Sequence, residues 1–194
     1  MDEEAQFLHV ADENDDQEED ENNVENESDD EEEEEIQGAN DEFEVEDLSS
    51  WPLIAAALAG ELTAVQCVLK QGANKNEATN KGRTAMWHAA MKGHLGIVQL
   101  LLEQGADKEK ASKCDATPLW IASFNGHLDV VRYLVEQGAD KNTLGDYCND
   151  TILVIASYRG HLPVVSYLVE QGIDMEKADT FGFTPLSSAS IKGH

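Results

Sequence analysis

The chain has 194 residues, a formal net charge of −27 and a mean hydropathy of −0.46, but neither value describes the whole of it. Residues 1–50 hold 25 of the 40 Asp and Glu and no Lys or Arg, whereas residues 51–194 set 15 acids against all 13 Lys and Arg, so the charge divides as −25 and −2. This argues against nucleic acid as a partner, because the acidic stretch repels phosphate; it also argues against a membrane protein, because no apolar run approaches the ~20 residues that span a bilayer.

From Met1 to Asp41 the sequence is dominated by Asp, Glu and Asn, with scattered apolar residues such as Phe7, Leu8, Val24 and Ile36. Such a segment buries too little apolar surface to offset its ordering entropy, so residues 1–41 are expected to form a disordered acidic tail. Asp12, Asn14 and Asp16 open a partial calcium-loop pattern, but Gln17 stands where the turn needs glycine and Asn23 where the bidentate glutamate belongs, so no metal site is assigned. Acids occupy the positions where a secretory signal needs a basic region and an apolar core, and the chain is expected to be intracellular, in cytoplasm or nucleus. Phe43, Val45 and Leu48 then appear among acids at helical spacing, and residues 42–50 are expected to form a short N-terminal capping helix.

The stretch Thr117 to Asp140 reads as two short helices and a stop. Thr117 caps the first, Pro118 suits its first position, and Gly126 ends it. In the second, Val130, Val131, Leu134 and Val135 fall at i, i+3 and i+4 spacings before Gly138. The unit recurs. First-helix starts at Trp51, Thr84, Thr117, Thr151 and Thr184 are separated by 33, 33, 34 and 33 residues. The turn glycines Gly60, Gly93, Gly126, Gly160 and Gly193 keep the same steps, as do the stops at Gly72, Gly105, Gly138 and Gly172. Three marker series in one register define a repeat protein with units 51–83, 84–116, 117–150, 151–183 and a partial unit 184–194.

The 33-residue period, the Thr-Pro-Leu start, the Gly-His-Leu turn at residues 93–95, 126–128 and 160–162, and the Gly-Ala-Asp stop together resemble the ankyrin repeat over residues 51–194. The resemblance implies an all-α solenoid of helix-turn-helix units with hairpin fingers near residues 74–80, 107–115, 140–150 and 174–182. Three departures stand out. The histidine that usually follows Thr-Pro-Leu is replaced by Ile54, Trp87, Trp120, Val154 and Ser187, which removes the hydrogen bonds it makes inside the stack. The glycine two places before the threonine is kept as Gly82 and Gly182 but replaced by Asp115 and Asn149. The chain also stops at His194, where a second helix should begin, and is expected to be a fragment of a longer array or multidomain protein.

No cofactor and no catalytic site are assigned. The sequence contains no glycine-rich phosphate loop, no H-E-x-x-H and no C-x-x-C, and Cys67, Cys114 and Cys148 are expected to be ordinary reduced thiols. His94, His127 and His161 occupy one position in successive repeats, too far apart to share a zinc ion, and by resemblance bond backbone groups at the turn. His88 falls on a variable first-helix position and is expected to be exposed.

What remains is surface. By the resemblance, the concave face is formed by the fingers and by three rows of first-helix positions, and the residues expected to bind a partner are His88, Met91, Lys92, Ile121, Phe124, Asn125, Ile155, Tyr158 and Arg159. The competing reading is that part of the Met91, Phe124 and Tyr158 stripe packs between helices. The function expected is a noncatalytic protein-protein interaction module with a partner of unknown identity. The alternative gives the acidic tail the leading role, as a chaperone or nucleic-acid mimic that captures basic partners such as histones.

Overall fold

The computed structural model of the protein describes residues 48–145 and 150–194. The expected tail over 1–41, most of the expected cap over 42–50, and Asn149 with the rest of 146–149 lie outside the described residues. Of the cap, Leu48–Ser50 forms a single 3₁₀ turn whose Leu48 carbonyl accepts from the Trp51 amide at 2.9 Å.

Helices come in pairs. The first helices are α1 (Pro52–Ala59), α3 (Ala85–Met91), α5 (Pro118–Phe124), α7 (Ile152–Tyr158) and α9 (Pro185–Ile191). The second helices are α2 (Leu62–Lys70), α4 (Leu95–Glu103), α6 (Leu128–Glu136) and α8 (Leu162–Glu170). The expected caps hold the first helices in register: the hydroxyls of Thr84, Thr117, Thr151 and Thr184 accept from the amides of Trp87, Trp120, Val154 and Ser187. Trp51 heads α1 without a side-chain cap, and Thr184 with Ser187 closes a reciprocal capping box.

First helices pack on one another in the order α1, α3, α5, α7, α9, and the second helices form a parallel layer beside them. This explains an asymmetry in burial. Every residue of α3 and of α5 is buried, whereas α4, α6 and α8 each bury only three. A first helix has neighbours before it, behind it and alongside it, so a short helix of small and apolar residues is enclosed on three sides. Leu186 in α9 is 80 % exposed, while Leu53, Met86, Leu119 and Leu153 at the same register position are buried. No second helix lies over α9 among the described residues.

The connecting fingers repeat a small antiparallel link. Backbone amides of Thr79, Ser112 and Asp179 donate to the carbonyls of Arg83, Ala116 and Phe183, each at 3.0 Å. In the longer finger, β1 (Leu144–Gly145) and β2 (Asp150–Thr151) pair with Leu144 opposite Thr151 and Gly145 opposite Asp150. Gly145 is the residue that lies on the Trp120 ring, where a Cβ would come within 2.8 Å of ring atoms. Asp115, standing in place of the usual glycine, adopts φ 59, the left-handed conformation that Asp tolerates better than most side chains. No helix among the described residues is long and apolar enough to cross a membrane.

Candidate functional site

The turn histidines reach across repeats instead of closing their own turns. Nε2–H of His94 donates to the Leu58 carbonyl at 3.3 Å, that of His127 to the Met91 carbonyl at 2.9 Å, and that of His161 to the Phe124 carbonyl at 2.8 Å. Each ring therefore satisfies a carbonyl near the end of the preceding first helix. The close approach explains the glycines: a Cβ on Gly93 or Gly126 would lie 2.6 Å from Nδ1 of His127 or His161. Burial holds His161 below its ordinary pKa, opposed by its bond to the Phe124 carbonyl.

The loss of hydrogen bonds expected from the missing histidine is corrected by the structure at Trp87 and Trp120. Nε1–H of Trp87 donates to the Ala116 carbonyl at 3.1 Å, and that of Trp120 to the Asp150 carbonyl at 3.2 Å. In these two repeats an indole N–H thus ties the first helix to the last residue of its own unit, at the base of the finger, where the family's histidine is missing.

The nine residues expected to bind a partner separate into two groups. Met91, Ile121, Phe124 and Ile155 are buried, Phe124 at 0 %, so the reading of this stripe as an exposed surface is wrong for them. Packed helices lie ~8–10 Å apart, and the i and i+3 positions of a first helix turn toward the next repeat before they can reach solvent. His88 is also buried and not exposed: it lies edge-on to Trp87 at 5.1 Å, neither ring nitrogen has a hydrogen-bond partner among the described residues, and burial together with Arg83 and Lys92 lowers its pKa to about 4. The imidazole is neutral at physiological pH.

Lys92 is exposed, and Asn125, Tyr158 and Arg159 are half-buried. The Asn125 amide turns back to the Ile121 carbonyl at 2.9 Å. The Arg159 guanidinium lies over the Phe124 ring at 4.3 Å, and the Lys192 ammonium lies over the Tyr158 ring at 4.8 Å. A cation of one repeat covers the aromatic ring of the repeat before it, twice in succession. Sequence reasoning placed these residues in adjacent rows of a surface but missed that one row roofs the other.

Finger lysines are occupied in a different way. Lys75 Nζ donates to the Gln104 carbonyl, Lys110 Nζ to the Asn76 carbonyl at 2.8 Å, and Lys141 Nζ to the Gln171 carbonyl at 2.8 Å. Two of these acceptors end second helices of the next repeat, where a cation complements the carbonyl end of the helix dipole. Among the described residues no cluster of His, Cys, Asp or Glu has metal-holding geometry, and Cys67 and Cys114 are in no disulfide.

A stack of capped helix pairs, tied across repeats by its histidines and within repeats by its tryptophans, with a row of first-helix side chains at its surface, defines a helical repeat solenoid. A family model described as ankyrin repeats (3 copies) matches residues 53–145, and a second, ankyrin repeats (many copies), matches residues 153–194. The chain belongs to the ankyrin repeat family, whose members are generally protein-protein interaction modules. No curated protein matches the chain.

Proposed function

We propose that this chain is a noncatalytic interaction module that holds a protein partner on the solvent-facing row of its first helices and on the adjoining fingers. The observation that carries this reading is the contrast within one register. Framework positions keep one chemistry over most of the repeats: capping threonines from Thr84 onward, a Leu or Met that is buried in all but the last, and histidines seated on glycines. The outermost position changes through Ala59, Lys92, Asn125, Arg159 and Lys192. Variable side chains on a rigid framework supply recognition without requiring the stack to deform, and a preorganised surface loses little entropy on binding. The partner-facing set is Lys92, Asn125, Tyr158 and Arg159 rather than the buried members of the original stripe.

The acidic segment 1–50 supports a second reading, capture of basic proteins by long-range attraction, which weakens as salt shortens the screening length. Pull-down with residues 51–194 and, separately, 1–50, at low and high salt, separates the two. Retention by 51–194 at high salt is the expected result. Retention by 1–50 alone, and only at low salt, would overturn the module reading.

A further inference from the structure

We propose that the first-helix face recognises an acidic peptide segment, with carboxylates seated on Arg159, Lys192 and Lys92; this rests on the reading of that face as the partner surface. The first observation is one of sign. Residues 52–59, 85–92, 118–125, 152–159 and 185–192, the first helices with their closing residues, contain three Lys and Arg and not one Asp or Glu. The second helices carry the opposite balance, with Glu103, Asp129, Glu136 and Glu170 against Lys70 and Arg132. Most charged residues of the repeat region lie in the fingers, but between the two helix layers charge is sorted by sign, and the first helices are the positive layer.

The second observation is preorganisation. The Arg159 guanidinium is held over the Phe124 ring and Lys192 over the Tyr158 ring, at 4.3 and 4.8 Å from the centroids. A guanidinium lying over a ring keeps its N–H donors at its edge, in the fork that matches a carboxylate, and its side-chain rotamers are already restricted. Lys92 is exposed at the same register position two repeats earlier.

The spacing describes the ligand. Adjacent repeats set Arg159 and Lys192 about one interhelical distance apart, ~8–10 Å, and Lys92 about twice that from Arg159. A chain in the extended polyproline II form rises ~3.1 Å per residue with about three residues per turn, so carboxylates three residues apart lie on one face and span the first pair, and carboxylates about six apart span the second. The ligand is therefore an extended segment with acidic residues at every third position, lying across the first helices.

The test uses the full chain and fluorescein-labelled peptides of four Glu-Ser-Ser, Gln-Ser-Ser or Lys-Ser-Ser triplets, with a short oligothymidylate as a polyanion of another class, read by fluorescence anisotropy at physiological salt. The Glu peptide is expected to bind at least tenfold more tightly than the Gln peptide, and the Lys peptide not at all. The double variant R159Q/K192Q should lose about tenfold in affinity for the Glu peptide. R159K/K192R, which keeps the charges, should stay within about threefold of the parent. K70Q/R132Q, with the same charge change on the second-helix layer, should bind as the parent does. Circular dichroism melts establish that each variant is folded.

Equal losses in R159Q/K192Q and K70Q/R132Q would reduce the effect to net charge and overturn the proposal. So would equal binding of Glu and Gln peptides, or preference for the oligothymidylate. A protein retained by residues 51–194 at high salt whose binding is untouched by R159Q/K192Q would overturn acid recognition and leave the interaction-module reading standing; loss of that retention altogether would overturn the module reading instead.

Discussion

The indole of Trp87 donates its Nε1–H to the carbonyl of Ala116 at 3.1 Å, tying the interior of one repeat to the residue just before the cap of the next. Trp120 repeats the bond to Asp150, at 3.2 Å. Trp120→Phe keeps a ring in the core but removes the indole donor to the Asp150 carbonyl, a loss of about 0.5–1.5 kcal/mol. Urea unfolding should give a lower midpoint with an unchanged slope. An unaltered midpoint would mean the indole N–H contributes nothing to holding the finger on its first helix.

The histidine seats give a comparison between two glycines with nearly the same backbone. Gly126 has φ 75 and Gly138 has φ 74, yet a Cβ on Gly126 would overlap the His161 ring and one on Gly138 would meet nothing within 4 Å. Gly138→Ala should lose about 1–2 kcal/mol from left-handed backbone strain alone. Gly126→Ala adds an overpacking penalty on the order of 1–3 kcal/mol, because His161 must leave the Phe124 carbonyl. Thermal melting of the two variants should therefore rank Gly126→Ala well below Gly138→Ala, and equal melting points would contradict the seat.

Phe124 and Arg159 separate stability from recognition. Phe124→Ala empties a fully buried site and should destabilise by ~3–5 kcal/mol. Arg159→Gln removes a cation from the face of that ring and should lose only about 0.5–1 kcal/mol. Denaturant titration of both variants checks this; a small loss for Phe124→Ala would return that residue to the surface.

His88 makes stability depend on pH. Its folded-state pKa, about 4, lies below its ordinary value of 6.5, because burial and the charges of Arg83 and Lys92 disfavour the imidazolium. The unfolded chain therefore takes up the proton first. The contribution is fully present above pH 6.5, is lost as pH falls from 6.5 toward 4, and is gone below it, an amount on the order of 3 kcal/mol. His88→Leu removes two unpartnered buried nitrogens and should both raise stability at pH 7 and flatten this decline. Equilibrium unfolding at pH 7 and pH 4.5 measures both, and an equally steep decline in the variant would show that other groups carry it.

Much of the fold was legible because its signals are local. A capping threonine, a proline at the first helical position and a glycine at a left-handed stop each act within a turn of the chain, so a period of 33 could be counted from them. The candidate surface was less legible. Ile121, Phe124 and Asn125 sit on one short helix at i, i+3 and i+4, and helical spacing alone gives them similar claims to solvent. The neighbouring first helix buries Ile121 and Phe124 and leaves Asn125 at the rim. The replacement of histidine by tryptophan was visible as a departure, but its consequence was misread, since the indole's acceptor lies 29 residues away in Trp87 and 30 in Trp120.

By itself, the sequence determined the repeat, its register, its caps, the turn glycines and the division of charge between residues 1–50 and the remainder, all of them consequences of backbone conformation and composition. Only the tertiary structure decided which apolar first-helix residues are core, which carbonyls the histidines and tryptophans satisfy, and that Arg159 and Lys192 lie on Phe124 and Tyr158. The physical reason is that a solenoid buries its residues between repeats, so exposure at a given position depends on side chains about one period away along the chain.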